Sequence, residues 1–294
     1  MVKLSAIQLC SVPDVAENLA QIEVQLSKLP VAHQHIVVLP ECCLFFGGRD
    51  SQQLHLAQQT AQNNHLKHEL AALAKKFNVT LVAGSIPMLA TSSTKNLHNA
   101  DFIDEISTEG KFTNTCLVFS PSGETIGRYD KIHLFDVEVN DSEKSYSESQ
   151  YTKAGQSVSK VELAPVILGL SICYDLRFPE LYRQLAVQGA NVIVVPAAFT
   201  PETGKAHWET LLRARAIENQ AYIIAAGQEG VHANGRETWG HSMIVSPWGE
   251  ILAEKTTGVG SVSVDFDLAV LEQVKQSMPV AAHNQFTTKL KSYE

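Results

Sequence analysis

Three side chains able to make and break bonds stand at the ends of strand-like runs, far apart in the chain: Glu41, Lys131 and Cys173. Cys173 closes the β-branched run from Val166 to Ile172, Glu41 directly follows HIVVLP, and Lys131 follows TIGRYD. A thiol with an ordinary pKa of about 8.5 is a poor nucleophile at neutral pH unless a base or a cation assists it. Glu41 can take the proton as general base, its pKa raised by burial. Lys131 can stabilise the thiolate and then the oxyanion of a tetrahedral intermediate, with the backbone N–H of Tyr174 as a second donor. Such a trio cleaves an amide-like C–N bond through a thioester.

The elements that must position these residues follow from apolar periodicity. Val2–Leu9, His35–Leu39, Val79–Ile86, Thr113–Phe119, Val166–Ile172, Asn191–Val195, Ala221–Ala226 and Val262–Phe266 read as strands. Asn191–Val195 is expected to stop at Pro196, and the alternation that leads into Thr113–Phe119 extends back to Asn99. Helices are expected from Asp14 to just before Pro30, over Ser51–Phe77 as one element, over Leu176–Gly189, over His207–Gln220 and over Leu268–Lys275. Pro121-Ser122-Gly123 and Pro247-Trp248-Gly249 mark two hairpins, and Asp136–Gly155 is an irregular loop of the kind that carries function. The tail beyond Pro279 is polar and is expected to wrap on a neighbour or fray. Strands alternating with helices, with two hairpins and no break in composition, predict one mixed α/β layered domain over residues 1–294. In such sheets the carboxyl ends of strands form the ligand crevice, and all three reactive residues sit at strand ends.

Around Cys173, Arg177 is placed to meet a substrate carboxylate bidentately, or to pair with Asp175 or Glu180 and hold the turn. Phe199 and Thr200 lie just past the NVIVVP strand and can line a pocket through their backbone; His207 and Trp208 open a helix, with His207 a further substrate contact. A net charge of −8 and a pI near 5.8 argue against nucleic acid or an anionic membrane as the main partner. Five cysteines (10, 42, 43, 116 and 173), with no zinc-like pairing, suit free thiols in a reducing compartment, and no apolar run is long enough for a membrane span. A small-molecule substrate in the cytoplasm is the expectation.

The segments LPE at Glu41, YDKIHLFD at Lys131 and GLSICYDLRFPE at Cys173 resemble the three signatures of the nitrilase superfamily, the carbon–nitrogen hydrolases, in matching order along nearly the whole chain. That resemblance implies a four-layer αββα sandwich, a Glu-Lys-Cys triad, no metal or organic cofactor, and homodimers or higher homo-oligomers. It also implies a supporting role for Glu148, which falls where relatives carry a further glutamate in the long loop. KIHLFDVEV, AFTPETGKAHWETLLRARAIENQ and GHSMIVSPWGE resemble the Nit branch, whose members act on deaminated glutathione or on α-ketoglutaramate. CYDLRFPEL and AAGQEGVHANGRETWGHSM are more similar to the former group. The competing readings are an ω-amidase or N-carbamoyl amine amidohydrolase with the same chemistry, a Cys-His hydrolase using His133 or His207, and a non-catalytic binding protein on the same fold.

Overall fold

Alternation along the strands decides which face each side chain takes. The computed structural model describes residues 2–90, 110–138 and 145–291. In β1 (Val2–Gln8), Val2, Leu4 and Ala6 enter one apolar cluster, while Ile7 enters a second on the opposite face. β2 (Gln34–Val38) divides in the same way, Ile36 and Val38 against Val37. With β3 (Thr80–Val82), β4 (Ile86–Leu89), β5 (Phe112–Phe119) and β6 (Thr125–Asp130), these strands build the first sheet. A small hairpin, β7 (Asp136–Glu138) with β8 (Ser145–Ser147), then leads to the second sheet.

The second sheet starts with β9 (Lys160–Leu163) and continues through β10 (Val166–Leu170), β11 (Val192–Ala197) and β12 (Tyr222–Gly227), of which the last three run parallel. The short ribbon of β13 (Glu229–Val231) and β14 (Glu237–Trp239) leaves it, and β15 (Ser242–Val245) and β16 (Ile251–Lys255) rejoin it. β17 (Gly260–Phe266) crosses back to pair antiparallel with β1. Helices α1 (Val15–Ser27) and α3 (His65–Phe77) cover the first sheet with Ile22, Leu26, Leu66 and Leu70. The larger cluster joins the inner faces of the two sheets and continues to Leu181 and Leu185 of α4 (Pro179–Val187) and Leu212 of α6 (Glu209–Asn219). The layers therefore run helix, sheet, sheet, helix: the expected αββα sandwich.

Several boundaries differ from expectation, each for a local reason. The Ser51–Phe77 helix is two helices, α2 (Asp50–Asn63) and α3, because Asn64 adopts a left-handed φ of 53° and turns the chain. The Val79–Ile86 strand breaks at Gly84 (φ 53°), where the backbone lies against Pro40. β11 continues through Pro196 to Ala197; β10 pairs with it only up to Val194, so no ladder bond from that neighbour is lost. Cys173–Arg177 forms a tight 3-10 turn before α4, whose first residue is Pro179, a position where proline's missing N–H costs nothing. The helix expected from His207 begins earlier, with α5 (Pro201–Thr203) and a wide turn at Gly204–Trp208 packed on Trp239. Strands β9, β13 and β14 were not legible as strands. The alternation read from Asn99 and the centre of the Asp136–Gly155 loop fall largely outside the described residues. The tail folds onto its own chain: after α7 (Leu268–Ser277) and α8 (Val280–His283), Gln184 of α4 donates to the Thr288 carbonyl and hydroxyl.

Candidate active site

Each reactive side chain is delivered just past a strand. Glu41 follows β2, and the next residue, Cys42, has a φ of 54°; behind it, a Cβ on Gly84 would come within 1.9 Å of the Pro40 carbonyl oxygen. Lys131 follows β6, its N–H donating to the Asn114 carbonyl at 2.9 Å and its carbonyl accepting from Gly155 at 2.8 Å. Cys173 has a φ of 47°, a conformation that costs a non-glycine residue about 1–2 kcal/mol. Asp175 holds that turn. Its fully buried carboxylate accepts from the Ile172 N–H (2.9 Å), the Tyr129 hydroxyl (2.7 Å), and the N–H (3.1 Å) and Nδ1 (2.7 Å) of His133. One side chain thus fastens the Lys131 loop, from the first sheet, to the Cys173 turn, from the second.

The structure brings Glu41, Lys131, Glu148 and Cys173 together. Lys131 Nζ donates to Glu41 Oε1 at 3.0 Å and to Glu148 Oε2 at 2.8 Å. Asn114 Nδ2 donates to the same Glu41 oxygen at 2.9 Å and to Glu148 Oε1 at 3.3 Å, and the Phe135 N–H caps Glu148 at 2.7 Å. Cys173 and Glu41 line one cavity wall with Lys131. Burial alone would raise the pKa of Glu41, as expected from sequence, but Lys131 and the thiol outweigh it and hold the carboxyl below its ordinary 4.5. Burial likewise works against the charge on Lys131, and Glu148 and Glu41 override it, keeping the ammonium protonated well above its ordinary range. Burial and the Glu41 charge push the Cys173 thiol well up, against the pull of Lys131 and the Ala198 backbone N–H. A neutral thiol, an ionised carboxylate and an ammonium in one cluster on a cavity wall can carry out base-assisted thiol attack on a carbonyl.

These residues open onto a cavity of about 520 Å³, within the usual size of small-molecule sites. Tyr174, Arg177, Phe199 and Thr200 line it, as expected, and His207 does not. His207 is exposed, with Nδ1 3.2 Å from Arg177 Nη1. Arg177 also differs from its structural alternative: it lies over the rings of Phe199 (5.4 Å) and Tyr174 (5.8 Å), while Asp175 is taken by Tyr129 and His133. His133 is committed to Asp175 and stacks on Phe178 at 3.6 Å, so neither histidine takes the place that Glu41 holds beside the thiol. Sequence reasoning missed Asn114, a polar residue inside β5, and Arg236, in the turn between β13 and β14; neither carries a periodic signal. Among the described residues no group of three His, Cys, Asp or Glu side chains is arranged to hold a metal ion, and no helix is long and apolar enough to cross a membrane.

A family profile described as carbon-nitrogen hydrolase matches residues 3–276. The chain belongs to that family. It is 40% identical over 287 residues to the deaminated glutathione amidase of Yersinia enterocolitica, covering 98% of this chain and 94% of that one. It is 34% identical over 278 residues to the omega-amidase NIT2 of Xenopus tropicalis, covering 95% and 93%. The crystal structure of the Caenorhabditis elegans NitFhit protein superposes with a TM-score of 0.82 at 34% identity, covering 99% of this chain and 68% of that one. This carbon–nitrogen hydrolase is a cysteine-dependent amidohydrolase of the Nit branch of the nitrilase superfamily, and its αββα sandwich is the fold of its solved relatives.

Proposed function

We propose that Cys173 is the nucleophile, Glu41 the general base, Lys131 the oxyanion-stabilising group and Glu148 a support for Lys131, in hydrolysis of deaminated glutathione. The observation that carries the roles is the buried Glu41 carboxylate, met by Lys131 Nζ at 3.0 Å, in the same cavity wall as Cys173. As Sγ attacks the amide carbon, the thiol proton passes to Glu41, and the oxyanion is met by Lys131 and the Tyr174 N–H. Collapse expels the amine, which takes the proton from Glu41, and leaves a thioester. Glu41 then deprotonates a water that attacks the thioester, releasing the acid and restoring the thiol. Asn114 and Lys131, both donating to Glu41 Oε1, hold the base in place through both halves.

For the substrate, N-(4-oxoglutaryl)-L-cysteinylglycine would yield 2-oxoglutarate and cysteinylglycine. The 40% identity to a deaminated glutathione amidase supports this reading over α-ketoglutaramate, at 34% to an omega-amidase. The cationic Arg177, in the cavity wall beside the Cys173 turn, suits a substrate carboxylate. Five free thiols support a reducing compartment such as the cytoplasm. Exposed Ile217, on α6, lies against the Trp248–Gly249 turn, and this apolar outer face supports a homo-oligomer, which light scattering of the purified protein would reveal. The decisive experiment follows 2-oxoglutarate release from deaminated glutathione and from α-ketoglutaramate, by wild type and by Cys173→Ala. Preference for the first, with no turnover by the variant, is expected. Preference for the second would move the substrate to the ω-amidase reading, and wild-type rates in the Ala variant would end the nucleophile assignment.

A further inference from the structure

The cavity contains a cation that forms no hydrogen bond or ion pair with the catalytic cluster. Arg236 lies between the rings of Phe46 and Tyr146, its guanidinium carbon 4.9 and 4.8 Å from their centroids. The turn that carries it is fixed from below. His232 is buried, with ring nitrogens 2.9 Å from the Ser11 carbonyl and 2.8 Å from the Thr238 hydroxyl, and Phe46 meets its ring edge-on at 4.4 Å. Gly47, with a φ of 75°, lets the chain after Glu41 come so close that a Cβ there would sit 3.0 Å from the Ala233 nitrogen.

Arg236 is held in place, and among the described residues no carboxylate forms an ion pair with it. Its charge reaches Glu41 and helps to keep that carboxyl ionised. Asp50 lines the same cavity and feels the same charge, yet no ion pair joins them, and Nε of Arg236 is buried with no hydrogen-bond acceptor among the described residues. A buried donor on a planar cation is costly to leave unmatched. Two aromatic faces restrict the guanidinium without using its edge, which is the part that binds a carboxylate in a two-point fork. Arg177 stands elsewhere on the wall, over Tyr174 and Phe199 at the Cys173 turn.

We infer that Arg236 receives a second carboxylate of the substrate, so that the site selects linear amides bearing an anionic group on each side of the bond to be cleaved. The inference rests on the substrate reading above: deaminated glutathione carries one carboxylate on its 2-oxo acid and one on its glycine, whereas α-ketoglutaramate carries only the first. Arg236 is then the residue that separates the two substrates, through KM.

The test compares deaminated glutathione with the same molecule whose glycine carboxylate is a carboxamide, in wild type and in Arg236→Gln, with 2-oxoglutarate release as readout. Wild type should prefer the acid by about tenfold to a hundredfold in kcat/KM, the worth of a charge-assisted pair. Arg236→Gln should erase that preference through KM, lowering kcat/KM for the acid at least about tenfold more than for the carboxamide. Arg236→Lys, which keeps charge but loses the fork, should fall between and serves if the Gln variant does not fold. A variant that lowers both substrates alike, or neither, overturns the inference while the substrate reading stands. If wild type turns over neither molecule, the substrate reading fails, and both compounds are then used to protect Cys173 from iodoacetamide, followed by peptide mass. Protection by the acid exceeding that by the carboxamide, only with Arg236 present, sustains the site; equal or no protection removes it.

Discussion

Replacing Asp175 by Asn tests whether one buried carboxylate keeps the two halves of the site in register. The native oxygens accept four hydrogen bonds, at 2.7 to 3.1 Å, from Tyr129, Ile172 and two groups of His133. An Asn can keep one oxygen for His133, but its NH₂ then faces the Ile172 N–H and the Tyr129 hydroxyl. The hydroxyl can rotate to accept; the amide cannot, and becomes an unmatched donor. Loss of two charge-assisted bonds and one buried clash of donors corresponds to about 3–5 kcal/mol. That is a large share of a typical stability of about 5–15 kcal/mol. Because the same carboxylate ties Tyr129–His133, with Lys131 between them, to the Cys173 turn, a shift of about 1 Å would cost roughly a hundredfold in kcat. Urea denaturation and steady-state kinetics measure both. Tyr129→Phe, which removes the bond to Asp175 and the one accepted from the Ile132 N–H, should lose about 2–3 kcal/mol with a much smaller change in kcat. An Asp175→Asn enzyme within about 0.5 kcal/mol of wild type and with wild-type kcat would refute the reasoning.

The pH profile of kcat/KM should be flat from about pH 6 to 8, because Glu41 titrates below its ordinary 4.5 while Cys173 and Lys131 titrate above their ordinary 9.0 and 10.5; a limb centred near 7 would show that another group controls the reaction. His35 and His232 are buried, with pKa values held down to about 4, against 6.5 in the unfolded chain. Between those values the unfolded state binds more protons, so stability should fall as pH drops from 6.5 towards 4. Calorimetry of His232→Gln should show a shallower fall, and an unchanged slope would contradict the assignment. Gly84→Ala should destabilise by about 3 kcal/mol or more, from left-handed backbone strain and overpacking against Pro40, and should lower kcat by displacing Glu41; a normal Tm would disprove the contact.

How much was legible in the sequence depends on the distance over which each feature is decided. Val166–Ile172 and Asn191–Val195 are apolar on both faces, which suits central parallel strands, so their positions and the exits beyond them could be read directly. Glu41 and Cys173 were visible because each follows an apolar run, and Lys131 because it follows the second strand of a hairpin. The ionisation of Glu41 was not, since burial was in view but the Lys131 ammonium at 3.0 Å was not. Asn114 and Arg236 escaped for a related reason: their meaning lies in partners from other elements. The split at Asn64 and the early start at Pro201 were decided by a left-handed residue and by packing of Gly204 on Trp239, which outvote helical periodicity. Arg177 had two readings open, and the structure satisfies Asp175 elsewhere.

The protonation of Cys173 has a consequence for life among oxidants. Peroxides and stray disulfides react with thiolates, and their choice of cysteine follows thiolate fraction and exposure. With its pKa driven up by burial and by the neighbouring carboxylate, Cys173 rests in the form that such reagents ignore. In the proposed mechanism it becomes nucleophilic only as its proton moves to Glu41, and that transfer is worthwhile only with an electrophilic carbon in line. On that mechanism the sulfur stays latent between turnovers, which reduces its exposure to sulfenic acid formation without calling on a resolving cysteine or a dedicated reductant.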